Sequence, residues 1–269
     1  MTAREVPIHI VDAFTSEPFA GNPAAVCLLE GARSDRWLQA VAAEMNLSET
    51  AFLWREGPGY RLRWFTPALE VPLCGHATLA SAHLLFESGR TEGDELRFAT
   101  QSGELRAVRQ ADGIELDFPA FRYEPALLPV AVAAALGVTP VESSRVARLN
   151  GDSFLVEVAS EREARGARPD ARALLAAGAP SVILTTRSET PGFDFVSRYF
   201  APGAGIDEDP VTGAAHCALA PYWAKKLGKA ELVGFQASKR GGVVGVRALG
   251  ERVALRGQAV TVVSGRLLR

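Results

Sequence analysis

Neither sign of charge is in excess: 29 Lys and Arg face 31 Asp and Glu across 269 residues, a formal net charge of −2. Nothing in that balance draws the chain to phosphate polymers or anionic lipid, so nucleic acid is not an expected partner. Long hydrophobic runs are also missing. The longest nearly apolar stretch, Pro125 to Val138, contains Pro129 and falls short of the roughly 18–20 residues of a membrane span, so no membrane partner is expected. Cysteine is scarce: Cys27, Cys74 and Cys217 are an odd number at wide spacing, which fits neither a disulfide framework nor a C-x-x-C clip. The chain has no His/Cys/Asp cluster at metal-ligand spacing, no G-x-G-x-x-G or P-loop, and no G-x-S-x-G elbow. Metal hydrolysis, nucleotide cofactors and serine acyl transfer therefore lack support, and neither a metal nor a cofactor is expected. The opening residues also lack the basic, apolar and small-residue segments of a signal peptide, which makes a cytoplasmic address the expectation.

What is present is an ordinary globular composition, 48% hydrophobic and 22% charged, with room for one large domain or two modest ones. An internal repeat decides for two. Arg63-Trp64-Phe65-Thr66-Pro67 returns as Arg198-Tyr199-Phe200-Ala201-Pro202, an offset of 135, and Pro72-Leu73-Cys74-Gly75-His76-Ala77 returns as Pro210-Val211-Thr212-Gly213-Ala214-Ala215, an offset of 138. The second copy thus carries three extra residues. Each copy leads into a helical pattern, Ala77 to Ser88 before Gly89 and Ala214 to Leu227 before Gly228, with glycine placed for a C-cap.

Strand character marks Ile8 to Phe14, Ala24 to Leu29, Ala51 to Trp54 and Tyr60 to Phe65 in the first half. In the second half it marks Val146 to Leu149, Phe154 to Val158, Val182 to Thr185 and Asp194 to Tyr199. Ser34 caps a helix whose Trp37, Leu38, Val41, Ala42 and Met45 recur at helical spacing; Val130 to Leu136 and Ala171 to Ala177 are helices closed by Gly137 and Gly178. The proline-rich stretch Pro119 to Pro129 is the natural linker. The inferred architecture is two α+β domains of similar fold, 1–118 and 119–269, facing each other across a cleft, with about residues 262–269 packing back onto the first.

A glycine turn opening into a helix presents unpaired N–H groups and the positive end of the helix dipole, which suits a carboxylate. Two such turns, Gly75-His76-Ala77 and Gly213-Ala214-Ala215, imply a small anionic ligand; each could equally be a tight structural turn. His76 at a helix start is either a neutral imidazole for proton transfer or a buried hydrogen-bonded histidine. Asp209, in the run Asp207-Glu208-Asp209, either holds a polar substrate group or belongs to a solvated acidic loop. Glu49, flanked by Leu47 and Ala51-Phe52-Leu53, is either drawn into a dry site for acid and base work or exposed on the surface. Cys74 precedes the first glycine, where a racemase thiolate would sit, but its repeat mate is Thr212.

Val11-Asp12-Ala13-Phe14, Gly21-Asn22-Pro23, Asn46-Leu47-Ser48-Glu49-Thr50, Cys74-Gly75-His76-Ala77-Thr78 and Asp207-Glu208-Asp209-Pro210-Val211-Thr212-Gly213 together resemble the PhzF-like proteins of phenazine biosynthesis. The resemblance implies a diaminopimelate epimerase-like fold, two domains in each of which a sheet wraps a central helix. It implies a homodimer and a cofactor-independent isomerase acting on trans-2,3-dihydro-3-hydroxyanthranilate or a similar small carboxylate. In that scheme Glu49 carries the proton, His76 and Asp209 orient the substrate, and Asn22, Gly75, Ala77, Gly213 and Ala214 contact it. The family often has serine where this chain has Ala214, so one hydroxyl donor is missing. Two alternatives stay open: an amino-acid racemase or epimerase using Cys74, and a small-molecule-binding or interaction protein without turnover.

Overall fold

The computed structural model describes residues 5–147 and 153–268. The chain forms two compact units: one runs up to Asp117 and takes the chain back from Arg256, and the other is Phe118–Leu255. Both are α+β. The first unit holds β1 (Val6–Ala13), β2 (Asn22–Leu28), α1 (Asp35–Met45), β3 (Glu49–Glu56), β4 (Gly59–Phe65), β5 (Glu70–Val71), α2 (Gly75–Glu87), β6 (Glu95–Thr100), β7 (Gly103–Gln110) and β8 (Gly113–Pro119). The second holds β9 (Tyr123–Pro125), α3 (Val130–Leu136), β10 (Pro140–Val146), β11 (Ser153–Val158), α4 (Glu161–Gly166), α5 (Ala171–Ala176), β12 (Ser181–Arg187), β13 (Phe195–Ala201), β14 (Ile206–Asp209), α6 (Gly213–Leu227), β15 (Glu231–Gln236), β16 (Gly242–Leu249) and β17 (Arg252–Gly257). The last strand, β18 (Ala259–Leu267), returns to pair antiparallel with β1.

The two units share one wiring. In the first, β1–β2, β3–β4 and β6–β7 are antiparallel while β2–β3 and β4–β6 are parallel. In the second, β10–β11, β12–β13 and β15–β16 are antiparallel while β11–β12 and β13–β15 are parallel. The sequence repeat falls on β4 and β13, and its arginines do the same work in each. Arg63 donates Nε and Nη2 to Glu70 at 2.7 and 2.6 Å and lies over Phe65; Arg198 donates the same pair to Glu208 at 2.7 and 2.9 Å and lies over Phe200. Between each arginine and its carboxylate, the second unit adds the 3₁₀ turn Pro202–Ala204 and a register shift between Tyr199 and Ala201, which accommodates the three extra residues.

A helix that is apolar on every side must be surrounded. Ten residues of α2 are buried, and the helix packs against β1, β2, β3 and β18. Its small side chains permit close approach, and the hydroxyls of Thr78 and Ser81 are satisfied by the carbonyls of Cys74 and Ala77 one turn back. In the second unit α6 has nine buried residues and a proline in its interior, Pro221. Proline has no N–H for the carbonyl four residues earlier, that of Cys217, and the backbone N–H of Phe121 takes the bond at 2.9 Å.

Two sequence expectations need correction. The segment from Pro119 to Pro129 is not simply a linker, because β9 within it pairs with β10, Pro125 opposite Ser144, and Pro ends the strand where its missing donor is tolerated. The strand expected at Val146 to Leu149 instead precedes it, as Pro140–Val146; position 147 is a turn and positions 148 and 149 lie outside the described residues.

Candidate active site

In the first unit, parallel pairing sets Ala24 of β2 opposite Glu49 of β3, so the two strands begin together, β2 at Asn22 and β3 at Glu49. The loop leading into β2 is pinned: buried Asp12 accepts the Phe19 N–H at 2.7 Å, and Gly21 takes φ +64 where a Cβ would stand 2.2 Å from the Ala13 carbonyl oxygen. Helix α2 starts at Gly75 with Cys74 as its N-cap residue, a cap without a side-chain hydrogen bond. The N–H groups of Gly75, His76 and Ala77 fall in the first turn, where no intrahelical carbonyl reaches them.

These three starting points converge on His76, which is only 4% exposed. Its Nδ1 lies 3.2 Å from Asn22 Nδ2 and 3.6 Å from Cys74 Sγ, and its Nε2 lies 3.4 Å from Glu49 Oε2. An amide nitrogen only donates, so Nδ1 accepts and the ring proton sits on Nε2. Nε2 is within ion-pair distance of Glu49 but makes no hydrogen bond. Burial pushes the imidazole pKa down to about 3, so the ring is neutral at physiological pH, and burial rather than the helix dipole is the cause. A carboxylate beside a neutral imidazole can accept a proton from carbon. Glu49, His76 and Cys74 also bring one ligand atom each to within 4.8 Å of one another, a grouping that spacing along the chain conceals.

The second unit places Asp209 at the end of β14, one turn before α6. Thr212 donates its hydroxyl to Asp209 Oδ2. Gln236, fully buried on β15, accepts the Thr212 N–H at 2.9 Å and donates to the Asp209 carbonyl at 2.9 Å and to Thr212 Oγ1 at 3.2 Å. Gln236 therefore fixes the turn Asp209-Pro210-Val211-Thr212 from behind. Sequence reasoning missed it, since a glutamine ending a strand carries no local signal. Gly213 and Ala214 open α6, and His216 inside its first turn bonds the Thr212 carbonyl through Nδ1 at 2.8 Å. Burial pushes the pKa of His216 down to about 4.

The register makes the repeat's asymmetry plain. Phe65 pairs with Thr50 and Phe200 with Val182, which puts Ser181 at the place of Glu49. Thr212 holds the place of Cys74 and Ala214 that of His76. Ser181 hydrogen-bonds Ser153 across the parallel pair. The first unit thus carries Glu49, Cys74 and His76, and the second carries Asp209 with its supporting amide. Asn22, Glu49 and His76 are brought together with Cys74; Ala77 is buried in the same turn, and Asp209, Gly213 and Ala214 belong to the other unit.

A family model of phenazine biosynthesis-like proteins, PhzC-PhzF, matches residues 11–265. An uncharacterized isomerase of Halalkalibacterium halodurans is 47% identical over 97% of this chain and 98% of its own. The crystal structure of a PhzF-family phenazine biosynthesis protein from Enterococcus faecalis superposes with a TM-score of 0.93 at 39% identity, covering 99% of this chain and all of that one. A hydroxyproline epimerase from Agrobacterium vitis, at 13% identity and a TM-score of 0.64 over 99% of this chain and 93% of its own, shares the fold.

Proposed function

Because the chain belongs to the PhzC-PhzF family of phenazine biosynthesis-like proteins, we propose that it is an isomerase that moves a proton on a small carboxylate by way of Glu49. The observation that carries this reading is the Glu49 carboxylate 3.4 Å from a buried, neutral His76 whose other nitrogen is held by Asn22. The carboxylate takes a proton from one substrate carbon and returns it to another, which regenerates Glu49 and calls for no cofactor. His76 Nε2–H steadies the carboxylate and the substrate against it. The N–H groups at the start of α2 bind the carboxylate, and in the second unit Asp209 and the start of α6 offer groups of the same kinds. A trans-2,3-dihydro-3-hydroxyanthranilate-like compound fits this scheme, with Ala214 leaving its anchoring to backbone N–H. We further propose a homodimer in the cytoplasm. Among the described residues no helix is long and apolar enough to cross a membrane.

The test is NMR of deuterium incorporation from D2O into a panel of small carboxylates headed by dihydrohydroxyanthranilate. Exchange at carbon that falls about 10²–10⁴-fold in Glu49→Gln supports the reading, on the scale of a positioned acid/base group. Exchange that survives the substitution overturns it. One observation keeps the racemase alternative in view, Cys74 Sγ at 3.6 Å from His76 Nδ1. Exchange insensitive to Glu49→Gln and abolished by alkylation of Cys74 would favour it.

A further inference from the structure

Proton transfer by a carboxylate does not explain why a thiol stands in the same cluster. We propose that Glu49, Cys74 and His76 form a binding site for a zinc-class divalent cation, one per chain, which blocks the proton-transfer chemistry when occupied. The binding stands on geometry alone, whereas the block rests on the proposed role of Glu49.

The ligand set mixes thiolate, imidazole and carboxylate, the combination that suits Zn²⁺ and its analogue Co²⁺ and disfavours Mg²⁺ or Ca²⁺, which take oxygen. Tetrahedral zinc with bonds of about 2.0–2.3 Å places its ligand atoms about 3.3–3.6 Å apart. Glu49 Oε2 and His76 Nε2 are already 3.4 Å apart, Cys74 Sγ lies 3.6 Å from Nδ1 of the same ring, and one ligand atom of each residue comes within 4.8 Å of the others, so the Cys74 side chain turns toward Nε2 as the metal enters. His76 Nε2 is buried, makes no hydrogen bond and lies 3.4 Å from the carboxylate. To bind through Nε2, the ring proton moves to Nδ1, and the Asn22 amide turns its oxygen to accept it, the second-shell arrangement usual for metal-bound histidine. The Cys74 S–H bond breaks, a sulfur–metal bond forms, the proton leaves to solvent and the metal stays divalent. Three protein ligands leave a fourth position for water.

The repeat provides an internal comparison. Ser181, Thr212 and Ala214 occupy the corresponding places in the second unit and offer neither thiol nor imidazole, so one site per chain is the expected stoichiometry. Bound metal engages the carboxylate lone pair that would take the substrate proton.

The experiment is titration of the full chain with Co²⁺, followed by absorption. The expected result is a thiolate-to-cobalt charge-transfer band with tetrahedral d–d bands saturating at one equivalent and displaced by Zn²⁺. Cys74→Ser removes the charge-transfer band, Cys217→Ser keeps it, and Asn22→Ala weakens binding about 10–100-fold as loss of a second-shell partner does. No charge-transfer band, or a band that survives Cys74→Ser, overturns the proposal. Exchange from D2O measured alongside separates the two readings. Cobalt bands without any Glu49-dependent exchange leave the metal site standing and the proton-transfer reading fallen; Glu49-dependent exchange without cobalt bands does the reverse.

Discussion

Asn22 donates its side-chain amide to His76 Nδ1 at 3.2 Å, and this one bond decides which nitrogen of a buried ring carries the proton, Nε2 lying 3.4 Å from Glu49. Asn22→Asp presents only acceptors to that nitrogen, so the proton moves to Nδ1 and a lone pair meets the carboxylate. The expected outcome is a loss of exchange activity of at least ~10²-fold with the fold retained. ¹⁵N NMR of the histidine rings reads the tautomer directly; an unchanged Nε2–H signal in Asn22→Asp would refute the assignment.

Both buried histidines tie stability to acidity. Their folded-state pKa values, about 3 for His76 and about 4 for His216, lie below the ordinary 6.5, so below that value the unfolded chain binds the extra protons. Stability is complete above pH 6.5 and is lost as pH falls towards 4 and 3, by about 2 kcal/mol per histidine at pH 5. Urea denaturation at pH 8 and pH 5 measures the difference. Replacing His216 by Leu should remove roughly half of it.

Gln236 satisfies the N–H of Thr212 and the carbonyl of Asp209 inside a closed core. Gln236→Ala strands both and is expected to cost about 2–6 kcal/mol, since each unsatisfied buried group costs about 1–3. Gln236→Glu keeps the acceptor and loses the donors, so its cost is smaller. If Asp209 orients substrate, both variants raise KM more than they lower kcat.

The paired arginines differ in what surrounds them. Arg198 is 7% exposed and donates Nη1 to the carbonyls of Ala164, Arg165 and Ala167, whereas Arg63 Nη1 reaches the exposed Asp35. Removing the partner of the buried one, Glu208→Gln, is expected to destabilise by about 3–5 kcal/mol. Glu70→Gln, which leaves Arg63 with Asp35 and more water, should cost about half as much or less. Thermal denaturation of the two variants orders them.

What was legible in the chain was what local chemistry dictates. The Ser34 cap, the glycines after α2, α3, α5 and α6, and the repeated Arg-aromatic-Phe-x-Pro motif each act within a few residues, and the elements they announce are present. The hairpin β6–β7 is hard to see in the sequence although Leu96 and Phe98, then Leu105 and Ala107, alternate inward, because charged residues between them dominate the composition. Prolines between 119 and 129 have the pattern of a linker because an edge strand tolerates them as well as a loop does. The cluster at His76 was legible only as separate motifs. Its assembly depends on the parallel pairing of β2 with β3, a long-range choice with no counterpart in the neighbouring sequence. Gln236 acts entirely through such long-range contacts and left no trace.

The return of β18 to β1 has a consequence for biosynthesis. The first unit is interrupted by the whole of the second, and its β1 lacks one of its two neighbours until β18 has been made. The second unit, continuous from Phe118 to Leu255, can complete itself while the first still waits. The first half to be translated is thus the last to finish, and a chain cut before Ala259 would keep every strand of the second unit while β1 stood open on one edge.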